Sequence, residues 1–114
     1  HSLDGHDEIS LTGDTKVVSN NNEFLIKPKD FNFDIISSEK IFGGNTVKEA
    51  ASIFHDVLNL RATKEQTNVV LANSALSIST VNEIEISDAF EIAKDSLLNK
   101  KALKSFKTLI ELSK

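Results

Sequence analysis

An α+β chain is what the sequence predicts, with a short β-hairpin and loop region followed by about four packed helices. Two observations carry this. The glycines (Gly5, Gly13, Gly43 and Gly44) and the single proline, Pro28, all precede residue 45. Apolar positions recurring with a period near 3.6 residues come only after it. Residues 1–44 therefore read as loop and strand, and residues 45–114 as helix.

The elements follow in order. Thr15 to Ser19 and Glu23 to Lys27 are β-prone runs separated by Asn20, Asn21 and Asn22; asparagine tolerates the left-handed backbone of a tight turn, so the pair reads as a hairpin. Pro28 cannot donate to a β-ladder and ends the second strand. Asp30 to Gly44 carries Phe31, Phe33, Ile35, Ile36, Ile41 and Phe42 without a period, as a packed irregular connection would. Val47, Ala50, Ala51, Phe54, Val57 and Leu58 lie on one face of a first helix, opened by a Thr46–Glu49 capping box. Thr63 and Gln66 repeat that signature before a second helix, apolar around much of its circumference from Val69 to Ile78 and therefore central. Ser87, with Asp88 and Glu91 behind it, is the expected cap of a third helix that buries Ala89, Phe90, Ala93 and Leu97. A last helix sets Ala102, Leu103, Phe106, Leu109 and Ile110 opposite Lys100, Lys101, Lys104 and Lys107.

The chain has 114 residues, a formal charge of −4, no cysteine and no methionine. Its length suits one domain. The acidic balance argues against general nucleic-acid or membrane binding, and the absence of cysteine removes disulfides, thiolate zinc sites and thiol nucleophiles. The lack of a methionine leads us to expect a piece of a longer protein, and the lack of an apolar span or signal peptide a cytoplasmic one. Acids cluster in 83–95 and lysines in 100–114, so the last two helices are expected to pack with opposite charge.

Functional side chains concentrate in the first eight residues, His1 to Glu8. Asp4, Asp7 and Glu8 lie within five positions, an arrangement that repels itself unless water or a cation relieves it. Hard oxygen donors of this kind suit magnesium, which takes one or two protein carboxylates together with waters and phosphate oxygens. Adjacent Asp7 and Glu8 can both face such an ion from a loop, though not from one face of a helix or strand. Zinc held by His1, His6 and Asp4 is an alternative, and a solvated acidic terminus is another. Ser10 and Thr12 lie near histidines, but His6 has no identifiable orienting group, which speaks against a hydrolytic triad. Gly43-Gly44 precedes a helix start and reads as a turn with an N-cap more readily than as an anion loop. His55 borders an apolar stripe, and Asn73, inside the central helix, needs backbone partners for its amide.

The segment from His1 to Thr15 resembles the His-Gly-x-Gly-Leu-Asp-Glu-Ile-Ser-x-x-Gly-x-Thr stretch of the anthranilate phosphoribosyltransferases, of the glycosyltransferase family 3 type. Pro28 to Phe31 is similar to that family's Pro-Glu-Asp-Phe, Gly43-Gly44-Asn45 to its Gly-Gly-Asp, Val70 to Ala75 to its Leu-Asn-Ala-Ala helix, and Lys101 to Leu103 to its final Lys-Ala-Leu. The matches run in order along the whole chain. Departures are Ser2 and Lys100 where glycine is usual, His6 for leucine and Asn45 for aspartate, with Asn99 offering a left-handed cap in place of the missing glycine.

The resemblance implies a C-terminal segment of an α/β domain. It also implies transfer of a phosphoribosyl group from phosphoribosyl pyrophosphate to anthranilate in tryptophan biosynthesis, with Mg2+ on the pyrophosphate. By residue match Asp7 and Glu8 are the metal ligands, Asp7 on one ion and Glu8 bridging toward a second; no catalytic or other cofactor-binding residue falls in this chain. The family's phosphate loop and anthranilate-recognising segments precede the position of His1, so the chain alone is expected to be inactive. Exposed apolar surface, covered by self-association into a homodimer or other homo-oligomer, is expected with it. A related phosphoribosyltransferase or nucleoside phosphorylase-like enzyme, and a non-catalytic helical interaction module, are the other readings of the same residues.

Overall fold

Two antiparallel strands and four helices make up the computed structural model, which describes residues 1–114. Their order is β1 (Thr15–Val18), β2 (Glu23–Ile26), α1 (Val47–Leu58), α2 (Lys64–Asn82), α3 (Ile86–Leu98) and α4 (Lys101–Leu112), with 3₁₀ turns at Pro28–Phe31 and Ser38–Ile41 before α1. β1 and β2 pair with Thr15 opposite Ile26 and Val18 opposite Glu23, closed at the turn by the Ser19 N–H donating to Asn22 O at 2.9 Å. Only the Thr15–Ile26 end is buried; Val18, Phe24 and Leu25 stand in solvent. The outer edge of β2 has no neighbour. Pro28 ends β2 as expected, and its turn delivers Phe31 into the interior, where it stacks with Phe33 and meets Phe90 of α3 at a centroid distance of 5.6 Å.

α2 is the hub. One face joins Ala72 and Ala75 to Ala89 of α3 and to Ile9, Leu11, Ile26 and Phe31 of the loop and hairpin. Another joins Leu71 to Val57 of α1 and to Ala93 and Leu97 of α3. Ala72, Ala75 and Ala89 have no exposed surface at all, so α2 and α3 meet across methyl groups. The capping box at Thr63 forms as the sequence requires, each arm at 3.2 Å.

The other helix starts differ from expectation in instructive ways. Thr46 does accept from the Glu49 N–H at 3.2 Å, but the Glu49 carboxylate reaches one residue further back, to the Asn45 N–H at 2.6 Å. Gly44 makes room for this: at φ +91°, a Cβ there would lie 2.6 Å from Glu49 Cβ. α3 begins at Ile86, with Glu85 and not Ser87 in the capping position. The Ser79 hydroxyl donates to Ile84 O at 2.6 Å, and Ile84 and Ile86 both pack on the core, so the apolar contacts draw the helix start ahead of its serine. Between α3 and α4 the left-handed residue is Lys100 (φ +57°), whereas Asn99 keeps φ −89°. The Asn99 amide instead donates to Asp95 Oδ1 at 2.6 Å.

A left-handed conformation costs an L-residue with a Cβ roughly 1–2 kcal/mol. Lys100→Gly is therefore expected to raise stability by about 0.5–1 kcal/mol once the added freedom of the unfolded chain is deducted, read as a higher urea midpoint at unchanged slope. An unchanged or lowered midpoint would show that the backbone here is not what limits the helix junction.

Of the expected charge pairing between α3 and α4, one ion pair forms, Lys101 to Asp95. The Lys101 ammonium, aided by Asn99, holds the Asp95 carboxyl below its ordinary value. Folding weakens that group's proton affinity, so its contribution is present above the ordinary carboxylate pKa and is lost as pH falls through the lowered one. α1 touches α4 through Phe54 and Phe106, edge to face at 4.9 Å, with His55 beside them at 5.7 Å from Phe106.

The apolar stripe of α1 is only partly used. Val57 and Leu58 are buried, while Val47 is 88% and Phe54 47% exposed. A radius of gyration of 14.6 Å, against about 13 Å for a compact chain of this length, reflects this openness. A groove of about 770 Å³ runs between α1, α2 and α3, floored by Val57, Leu71 and Ala93. No helix is long and apolar enough to cross a membrane.

Candidate metal-binding loop

Residues 1–3 return antiparallel along β1 on the side away from β2. The His1 amino group donates to Lys16 O at 2.7 Å, the Lys16 N–H to His1 O at 2.8 Å and the Leu3 N–H to Asp14 O at 2.9 Å, so Ser2 lies opposite Thr15. Residues 4–13 thereby become a loop closed at its root. Gly5, at φ +102°, makes the tight reversal in which the Ser2 N–H donates to His6 O at 2.9 Å. Leu11 also adopts a positive φ, +60°, and turns its side chain fully inward.

A buried hydroxyl cluster fills the loop. Ser2 Oγ donates to Glu8 O at 2.9 Å, lies 2.8 Å from Ser10 Oγ and 3.1 Å from Thr15 Oγ1, and accepts from the Ser10 N–H at 3.3 Å. Thr12 extends the network, 2.8 Å from Ser10 Oγ, and its hydroxyl donates to the Asp4 carboxylate. No buried side-chain polar atom is left without a partner, as buried polar groups require. Asn73 clasps the loop from outside: Oδ1 accepts from the Ile9 N–H at 3.0 Å, and Nδ2 donates to Ile9 O at 2.8 Å and to Val69 O at 2.9 Å.

Asp7 and Glu8 ride on the surface of this scaffold. Both are exposed, and neither enters an ion pair. They stand between two concavities and border each, one of about 590 Å³ shared with His6, Ser10 and Val69, the other of about 340 Å³ shared with His1, Lys16 and Leu76. Two hard carboxylates, free of ion pairs and beside open space, suit a magnesium ion that keeps waters and phosphate oxygens in its remaining positions. The largest groove, by contrast, has no titratable side chain in its lining and offers nothing for such chemistry.

The structure does not assemble the zinc alternative: no three metal-ligating side chains come together anywhere in the chain, and Asp4 is taken up by Thr12. Ser10 is no nucleophile, for its hydroxyl is buried among Ser2 and Thr12 with no imidazole beside it. The start of α1 is occupied by the Glu49 carboxylate, which leaves no anion site at Gly43-Gly44. Sequence reasoning singled out Asn73 for its need of backbone partners, but not Ile9 as the partner. It read Ser2 only as a departure, although the cluster Ser2, Ser10, Thr12 and Thr15 was visible as a run of small hydroxyls around the acids.

A family model described as "Glycosyl transferase family, a/b domain" matches residues 1–103, and the chain belongs to that family. Among its relatives, the anthranilate phosphoribosyltransferase of Flavobacterium psychrophilum is 47% identical over 113 residues, covering 99% of this chain and 34% of the relative. Those of Christiangramia forsetii and Phocaeicola vulgatus are 43% and 41% identical over 113 and 114 residues, with the same two shares of coverage. The resemblance carried by separate motifs thus extends along nearly the whole chain, and the chain spans about a third of the length of the curated relatives it matches.

Proposed function

We propose that this chain is the part of an anthranilate phosphoribosyltransferase that supplies the cation ligands Asp7 and Glu8. The observation that supports the reading is an exposed, unpaired Asp-Glu pair on a loop whose backbone is held from both sides. The pair would hold Mg2+ on the pyrophosphate of phosphoribosyl pyrophosphate. The ion supplies charge neutralisation as the bond from C1 of the ribose to pyrophosphate breaks. Asp7 and Glu8 would hold the ion, while the Asp4 carboxylate is engaged by the Thr12 hydroxyl. Binding of the acceptor belongs to the remaining two thirds of the enzyme.

The reading is tested in a chimera in which this chain replaces the matching third of the Flavobacterium psychrophilum protein. Magnesium-dependent formation of phosphoribosyl-anthranilate is expected. A bound ion is worth several kcal/mol of charge stabilisation, and a loss of about 3 kcal/mol is about 100-fold in rate, so Asp7→Asn and Glu8→Gln are each expected to reduce kcat/KM by about that order and to raise the Mg2+ requirement. Unchanged kinetics in both variants would remove the pair from the reaction, and turnover of anthranilate by the 114-residue chain alone would contradict the assignment of the acceptor site elsewhere.

A further inference from the structure

The carbonyl of Glu8 and the N–H of Ile9 belong to one peptide group, and both are held by side chains, one from the start of the same segment and one from α2. Ser2 Oγ donates to the carbonyl at 2.9 Å, and Asn73 Oδ1 accepts from the N–H at 3.0 Å. A peptide plane gripped at its two poles cannot rotate, and this one directly follows the Glu8 side chain. Asn73 adds a second bond, Nδ2 to Ile9 O at 2.8 Å, so its carboxamide pairs with Ile9 as a neighbouring strand would. Its own rotamer is set by the third bond, to Val69 O one helical turn back. Asp7 and Glu8 carry adjacent negative charges and form no ion pair, so their mutual repulsion works against a closed loop. The carboxamide opposes that opening.

We propose that Asn73 is a positioning residue: by pairing with both backbone groups of Ile9 it fixes the Asp7-Glu8 segment to α2 and so presents the two carboxylates for a shared divalent cation. The inference rests on the reading of Asp7 and Glu8 as cation ligands. Groups that orient metal ligands from behind commonly matter by about 10- to 100-fold in affinity. Linkage also makes the effect reciprocal, so cation binding must tighten the hold on Ile9 by the factor that the hold contributes to binding.

The test uses the chimera described above, with pyrophosphate present, and two probes. Mn2+ is titrated while paramagnetic broadening of the Asp7 and Glu8 amide resonances is followed, and Mg2+ is added while the hydrogen exchange of the Ile9 amide is timed. Asn73→Leu, which keeps side-chain bulk and loses every hydrogen bond, is expected to raise the Mn2+ midpoint by about 10-fold. Ile78→Ala, which trims a half-buried side chain further along α2 and removes neither hydrogen bond from Asn73 to Ile9, is expected to leave it unchanged although it lowers stability. In the unmodified chimera saturating Mg2+ should slow Ile9 exchange by a similar factor, a measurement that stands even where Asn73→Leu does not fold. Absence of any broadening at Asp7 and Glu8 in the unmodified chimera overturns the cation-ligand reading and this inference with it. Broadening with the same midpoint in Asn73→Leu, or Ile9 exchange indifferent to saturating Mg2+, overturns the positioning role alone.

Discussion

Leu11→Ala is expected to cost about 3–4 kcal/mol, within the range for emptying a filled core site, and so to take most of the stability from a chain with so few buried side chains. Leu11 is 1% exposed and belongs to the cluster that joins the loop and hairpin to α2 and α3. It reaches that place from a left-handed backbone, φ +60°, which itself costs roughly 1–2 kcal/mol for a residue with a Cβ. Burial of the leucine, worth about 1.5–3 kcal/mol, outweighs that cost; alanine keeps the cost and loses the burial. Leu11→Gly loses the burial too but escapes the backbone cost, so it should be no worse than Leu11→Ala despite the smaller side chain. Chemical denaturation of the three proteins decides this. A loss below about 1 kcal/mol for Leu11→Ala would mean that the loop is not packed on the helices as described, since core deletions of this size typically exceed that.

Ala89→Leu should be nearly as severe, at about 3 kcal/mol, the upper part of what overpacking costs. Ala89 has no exposed surface and shares its cluster with Ala72 and Ala75 of α2, which also have none. Three added carbons at such a seam have no space to enter, so α3 must lift from α2 and carry Phe90 away from Phe31 and Phe33. Ile92→Leu on the outward side of α3, where the side chain is 46% exposed, is the matched control and should stay within about 0.5 kcal/mol. Equal thermal midpoints for Ala89→Leu and Ile92→Leu would show that the helices are not in contact through their alanines.

Much of the fold was legible in the sequence because its signals are local. The Asn20 to Asn22 turn, the strand stop at Pro28 and the Thr63–Gln66 capping box act within a few residues, and each forms as read. The start of α3 was misplaced because a serine cap competes with two isoleucines whose partners lie on other elements. The glycine-to-lysine exchange at 100 misled in the same way: asparagine has the better intrinsic tolerance of left-handed backbone, but the side chain of Asn99 is engaged with Asp95 and the conformation falls to its neighbour. At the candidate site the acids were visible as a pattern of charge. Their mounting was not, because Ser2 and Glu8 are six residues apart and Asn73 and Ile9 sixty-four, and no periodicity links them.

The hairpin is buried only at its Thr15–Ile26 root. A ribbon fastened at one end does not open as a unit; its opening free energy is graded, lowest at the turn and highest at the root. Fraying that starts at Asn20 to Asn22 therefore runs down three pairs and stops at Thr15, whose hydroxyl lies 3.1 Å from Ser2 Oγ at the base of the acidic loop. The root acts as a damper. Opening of the ribbon is expected to end before the acidic loop, whose backbone at Glu8 and Ile9 is tied to Ser2 and to Asn73 of α2 and not to the hairpin turn.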